Sequence, residues 1–302
     1  MSEKPVKKIN GGDTEKITRD YFDSLLLEMR HIDAVEPDTA LKLYGHEFKT
    51  PIMLAALSHL DRVHEKGMVE SARGMAAAGG VMWSGMGTDE ELEEICATGA
   101  KTVKIIKPHA NNDEIFRKME HAAAQGCIAV GMDIDHQFGS KNRRGYVLEF
   151  PMAAKMLDDI KAFVRGTKLP FVIKGVLSAI DAQKCLDAGV RGIVVSHHHG
   201  MVDYALPPLQ ILPKIVQVIR GQIPVFVDCG LSRGLDAFKA LALGATAVSI
   251  GRAAMGPLGE TGWEGVRDIV NEMTNELNWA MAVTCSPTID RIDPSVLHHK
   301  NG

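Results

Sequence analysis

No two of the five cysteines (Cys96, Cys127, Cys185, Cys229, Cys285) form a C-x-x-C pair, and their number is odd. That excludes a disulfide framework or a structural zinc site of the usual spacing, and it points to a reducing, cytoplasmic setting. Apolar runs of bilayer length are missing, and the opening "MSEKPVKKINGGDTEK" has no hydrophobic core of signal-peptide size. Neither a membrane span nor a secretory leader is therefore expected. Basic excess is missing too: 34 Lys and Arg stand against 38 Asp and Glu, a net charge of -4. Such a balance gives nucleic acid or an anionic membrane little to hold. Aromatics are few, 5% of residues within a hydrophobic content of 45%, which is an ordinary balance for a soluble globular chain.

Glycine is abundant, 29 residues in 302, and suits a fold with many tight strand-to-helix turns. The amphipathic stretch "ITRDYFDSLLLEMRHI" predicts an N-terminal helix, capped by Asp13 or Thr14. Eight short apolar runs follow: Pro51–Leu57, Gly79–Gly85, Thr102–Pro108, Cys127–Ile134, Phe171–Val176, Gly192–His197, Val225–Gly230 and Ala247–Arg252. Helix-like segments with apolar stripes lie between most of them, and those ending at Gly79, Gly99, Gly126, Gly189 and Gly244 have a left-handed C-cap residue in place. Continuous apolar strands alternating with helices read as buried parallel strands. Eight units in roughly 250 residues is the arithmetic of an α/β (β/α)8 TIM barrel. The expected organisation is an N-terminal helical extension over 1–50, the barrel over 51–280 and a C-terminal tail over 281–302. The stripe on "GWEGVRDIVNEMTNELNWAMAVT" predicts packing on the barrel wall, and exposure of that stripe or of the N-terminal helix would make a homo-oligomer.

In a TIM barrel the chemistry sits at the C-terminal strand ends, where this chain concentrates its polar residues. "VFVDCGLSRGLDAFKALALGATAVSIGR" places Asp228, Gly230, Arg233, Gly251 and Arg252 in the loops after strands seven and eight. Backbone N–H groups and a forked guanidinium there suit a phosphate. Lys174 interrupts strand five, a costly position unless it meets an anion or takes part in chemistry. "GIVVSHHHGMVDY" ends strand six in three histidines. His197 and His199 have H-x-H geometry and could bind a metal with Asp133, Asp135 and His136 of strand four. Alternatively one imidazole is a general base oriented by a carboxylate such as Asp133.

"IKGVLSAIDAQKCLDAGVRGIVVSHHHG" and "PVFVDCGLSRGLDAFKALALGATAVSIGR" resemble the FMN-dependent α-hydroxy-acid oxidase and dehydrogenase family, which includes glycolate and lactate oxidases. The resemblance implies a barrel holding FMN and oxidation of a small, anionic 2-hydroxy acid. It implies that Lys174 lies near the flavin pyrimidine, that Ser196 contacts the flavin, and that backbone at Ala55 and Ala56 lies against the ring. Ser84 and Lys104, at the ends of strands two and three, are expected beside the same ring. Asp228, Gly230, Arg233, Gly251 and Arg252 are implied to hold the ribityl chain and phosphate. His198 is implied to take the hydroxyl proton, with Asp133 stabilising the imidazolium; His199 is the alternative base.

Departures from the family pattern bear on the substrate. Where the family reads S-N-H-G-G-R-Q, this chain reads S-H-H-H-G-M-V, so Met201 or Val202 replaces the arginine that grips the carboxylate. The family's Q-L-Y corresponds to Lys104-Ile105-Ile106. Arg143 or Arg144 is expected to stand in for a second substrate arginine, and His197, His199, Lys104 or Lys107 to meet the carboxylate. Three other readings stay open on the sequence: a flavin-dependent isomerase resembling type 2 isopentenyl diphosphate isomerase, a metal-dependent lyase or hydrolase built on the His and Asp cluster, and a barrel that only binds a phosphate ligand.

Overall fold

A computed structural model describes residues 12–140 and 143–300. Eight parallel strands alternate with helices: β1 (Ile52–Leu54), β2 (Met82–Ser84), β3 (Thr102–Ile106), β4 (Ala129–Asp133), β5 (Phe171–Val176), β6 (Ile193–Val195), β7 (Val225–Val227) and β8 (Ala247–Ile250). They lie in the order β1-β8-β7-β6-β5-β4-β3-β2. The ring closes between its ends, where the Leu54 N–H donates to Val81 O at 3.1 Å and the Gly85 N–H to Leu57 O at 2.8 Å. All eight apolar runs thus form the strands of a (β/α)8 barrel. The glycines that end the five helical segments all take positive φ, between 75° and 99°.

Side chains alternate between the barrel interior and the helix layer. Met53, Val81, Trp83, Val103, Ile105, Ala129, Val172, Val194, Phe226 and Ala247 fill the interior, with Trp83 and Phe226 edge to face at 5.2 Å. A hairpin of Leu41–Leu43 with His46–Phe48 plugs the lower end with Leu41, Leu43 and Phe48. One step of two residues further up β4, β5, β6 and β7, the same inward face turns polar: Asp133 follows Gly131, Lys174 follows Val172, Ser196 follows Val194, and Asp228 follows Phe226. The alternation that builds the core therefore also delivers a ring of ionisable groups to the barrel mouth.

Among the helices, α1 (Thr14–Ser24) is capped by Asp13, whose carboxylate accepts from the N–H groups of Glu15 and Lys16. The amphipathic stretch expected as one helix divides here. Leu25–Leu27 leave α1 as a strand that pairs antiparallel with Leu297–His299, because the C-terminal segment supplies hydrogen-bond partners and Leu25 is buried in the pairing. The barrel helices that matter below are α2 (Gly67–Ala78), α3 (Asp89–Ala97), α4 (Asn112–Ala124), α5 (Leu157–Arg165), α6 (Ala179–Asp187), α7 (Pro208–Ile219), α8 (Gly234–Ala242), α9 (Arg252–Thr261) and α10 (Trp263–Ala282). The α10 stripe, with Val266, Val270, Met273 and Leu277, is buried within the chain. No described helix is long and apolar enough to cross a membrane.

Candidate active site

The β4–β5 register sets Asp133 directly beside Lys174. Lys174 Nζ lies 3.2 Å from Asp133 Oδ1 and 3.4 Å from Asp228 Oδ2, while Lys107, just past β3, donates to Asp133 Oδ2. Burial opposes charge on Asp133, yet Lys107 and Lys174 hold its carboxyl well below the usual carboxylate range. Burial likewise opposes charge on Lys174, but Asp133, Asp228 and Asp135 keep it an ammonium well above the ordinary range. Gly175 makes the arrangement possible. It sits at φ +95° where the β5–β6 register shifts, and a Cβ there would lie 2.6 Å from the Asp135 carboxylate.

The loop after β6 aims the histidines in three directions. His198 and His199 take φ of 49° and 54°, a left-handed conformation costly for residues with a Cβ and found mainly at functional sites. Ser196 Oγ accepts the His198 N–H at 3.1 Å. His198 Nδ1 then lies 3.1 Å from Lys174 Nζ, 3.2 Å from Asp135 Oδ2 and 3.4 Å from Asp133 Oδ1. Burial pulls its pKa down, but Asp133 and Asp135 overcome this and raise it. Its ring packs edge-on against His136 at 4.1 Å, and His136, lowered by burial, meets Asp135 Oδ1 at 3.0 Å. His197 does not share this cluster. Its Nδ1 accepts the Gly200 N–H, so its Nε2–H donates to Thr18 Oγ1 at 2.8 Å, tying the loop to α1.

His199 is exposed and turns to a neighbouring cavity of about 370 Å³, lined also by Ala55, Asp228, Gly230, Ser249, Gly251 and Arg252. Small residues leave that space open, and Arg252 begins α9, whose first N–H groups have no side-chain cap. An arginine and a free helix start form a donor set for an anion. Glu15 of α1 reaches in to pair with Arg252 at 2.6 Å.

Other residues singled out in the sequence lie elsewhere. Ser84 and Lys104 are register partners, but Trp83 and Val103 hold the inward positions, so both face the helix layer; Lys104 donates to Ser84 Oγ and Gly85 O there. Arg233 pairs with Glu276 of α10, and Ala56 is half-buried. Arg144 is exposed on a small hairpin between β4 and α5; the Arg143 side chain lies outside the described structure. Asp133, Asp135, His136 and His198 converge with ligand atoms within 4.8 Å of one another. Two ammonium groups already neutralise the carboxylate at the centre, so the cluster has its cations in covalent form. Lys107 was the least legible member: apolar residues on both faces of "TVKIIKP" conceal which of its two lysines points inward.

Residues 7–157 and 151–299 match the model of the FMN-dependent dehydrogenase family. The chain belongs to this family. A peroxisomal (S)-2-hydroxyacid oxidase of Arabidopsis thaliana is 30% identical, over 89% of this chain and 84% of that one. An L-lactate oxidase of Lactobacillus jensenii is 28% identical, over 85% and 70%. The crystal structure of a mandelate oxidase superposes with a TM-score of 0.86 at 27% identity, covering 95% of this chain and 91% of that one. This FMN-dependent dehydrogenase is thus an oxidoreductase with FMN as its cofactor, which decides among the enzyme classes left open by the sequence. The chemistry of the cavity fits that group, with anion donors at Arg252 and α9, a hydroxyl acceptor in Asp228, and small side chains between.

Proposed function

We propose that this family member oxidises a small anionic 2-hydroxy acid to the 2-oxo acid, with His198 as the base. One observation carries the reading: His198 Nδ1 sits between two carboxylates, 3.4 Å from Asp133 Oδ1 and 3.2 Å from Asp135 Oδ2. The neutral ring carries its proton on Nδ1, facing these carboxylates, which leaves Nε2 to take the substrate proton; the same carboxylates then flank the imidazolium. Three carboxylates (Asp133, Asp135, Asp228) face two ammonium groups (Lys107, Lys174) in this cluster, so a third positive charge is stabilised as the proton arrives.

The chemistry that bound FMN would supply here is an acceptor for the hydride from C2 of the substrate. The chain does the rest. Arg252, the start of α9 and Gly251 would hold the phosphate, Asp228 and Gly230 the ribityl side, and Ala55 and Ser196 the ring edge. Lys174 would place a fixed positive charge beside the ring. Lys107, an inward ammonium at the top of β3, binds the substrate carboxylate in place of the missing arginine; as a point charge it gives less orientation than a bidentate fork. Loss of one hydride and one proton from the carbinol leaves the 2-oxo acid. The test is anaerobic addition of a panel of (S)-2-hydroxy acids to the FMN-loaded protein. One of them bleaches the flavin band of the wild type, and His198→Ala, with FMN retained, slows bleaching roughly 10²–10⁴-fold. Failure of every acid to bleach the wild-type flavin overturns the reading.

A further inference from the structure

We propose that Cys96 and Cys127 are a peroxide-reactive thiol pair that closes to a reversible disulfide between the end of α3 and the entry to β4. Their Sγ atoms stand 3.9 Å apart, so a closure of under about 2 Å reaches the disulfide length of ~2.05 Å. Both thiols are free, and the other three cysteines are isolated. Cys185 and Cys229 are buried, with pKa values pushed up to about 12 chiefly by that burial. The Cys285 thiol donates to the carbonyls of Arg30 and Ile32.

The pair is chemically asymmetric. Cys96 is half-buried and within reach of solvent, whereas Cys127 is buried. The Cys127 thiol and the Thr102 hydroxyl can both donate to Cys96, and the Lys104 ammonium adds its charge; together they draw the Cys96 pKa below the ordinary thiol value despite burial. Its hydrogen bond to Cys96, then burial, pushes Cys127 up. Low pKa and access make Cys96 the attacking thiolate, and its neighbour the resolving thiol. Lys104, which the barrel alternation turns away from the interior, thereby gains a role on the outer wall.

The oxidant is hydrogen peroxide. Cys96 sulfur attacks one oxygen; an S–O bond forms, the O–O bond breaks, and the leaving hydroxide departs as water. Cys127 sulfur then displaces the sulfenic oxygen, forming S–S, and its proton leaves with that oxygen as a second water. Two thiols give up two electrons and two protons, and one peroxide becomes two waters. The disulfide ties α3 to the strand that ends in Asp133.

The test treats FMN-loaded protein with equimolar hydrogen peroxide, alkylates the remaining thiols and maps the digest by mass spectrometry without reductant. The expected result is one cross-linked peptide joining Cys96 and Cys127, three alkylated cysteines of the five, and recovery of all five after dithiothreitol. In Cys127→Ser, Cys96 stops at the sulfenic acid and is captured by dimedone; in Cys96→Ser, Cys127 stays reduced over the same time. Sulfinic acid at Cys96 without a cross-link in the wild type, or equal oxidation of Cys185 and Cys285, overturns the proposal. Neither outcome depends on the substrate or on His198.

Discussion

His198 owes its basicity to neighbours that want its charge. The ring must be neutral to take a proton, and the carboxylates that raise its pKa also set the pH below which it is already occupied. The acid limb of kcat/KM for the wild type is therefore expected above the ordinary histidine value. Asp135→Asn removes one of those charges without changing shape, so the limb moves to lower pH while the imidazolium formed in turnover loses stabilisation and kcat falls. A pH profile of kcat/KM in both proteins checks this; an unshifted limb in the variant means that Asp135 does not face the titrating group. Lys107 makes a second prediction at this scale. A buried ammonium hydrogen-bonded to a carboxylate is worth about 1.5–3 kcal/mol, so Lys107→Met raises KM for the hydroxy acid roughly 10- to 100-fold, and Lys107→Arg retains most of the affinity. A KM unchanged in Lys107→Met removes the residue from substrate binding. Which lysine of "TVKIIKP" would face the mouth could not be read from the sequence, because strands buried on both faces carry no polar alternation to mark the inward side. The polar ends of β4, β5, β6 and β7 were legible, since a charge in an apolar run is conspicuous whichever way it points.

At the scale of elements, α1 is a brace across the mouth rather than an appendage. Thr14 Oγ1 donates to Val202 O, Thr18 receives His197, and Arg19 forks onto the buried Asp236 at 2.9 Å for both contacts. One histidine of the triplet thus ties the loop to α1 while the next faces the buried carboxylates, a division that three identical letters in a row do not reveal. The same helix brings Glu15 to Arg252, where the carboxylate would compete with a flavin phosphate held as proposed. Glu15→Gln removes a like charge from the phosphate's surroundings. Both partners are substantially exposed, 53% for Arg252 and 40% for Glu15, so the effect is modest, about 0.2–1 kcal/mol or a few-fold tighter FMN binding at low salt. Fluorescence titration of the apoprotein with FMN at two ionic strengths measures it. Equal affinity of both proteins at low salt would show that Glu15 leaves Arg252 free when the cofactor arrives. The division of α1 from Leu25–Leu27 was hidden for a similar reason: leucines at helical spacing look alike whether a helix continues or a distant strand captures them.

Across the whole molecule the two ends of the described chain are tied together. Leu25–Leu27 pair with Leu297–His299, the Lys300 N–H donates to Ser24 O at 2.8 Å, and the Tyr21 ring meets His299 at 5.8 Å. The barrel itself is closed by local βα units, each legible as an apolar run and most also by a helix-like segment beside it. The clasp is a contact between segments more than 260 residues apart, for which a single sequence has no periodic signal. Its physical consequence is that α1 is anchored at the mouth by Thr14, Thr18 and Arg19, in its second half by the buried Phe22, whose carbonyl accepts from Lys239, and at the clasp by Ser24. Ending the chain at Val296 removes the clasp while leaving every barrel strand in place. Local opening free energies differ across a structure, and elements with few anchors open first. Amide exchange in α1 is accordingly expected to rise roughly tenfold or more in the truncated protein, with FMN retention weakened because Arg19, Thr18 and the histidine loop lose their rigid support. Exchange in β4 and β5, which carry Asp133 and Lys174, stays at the wild-type level. If exchange instead rises equally in α1 and in those strands, the clasp belongs to the global folding unit, and the mouth alone does not set the order of α1.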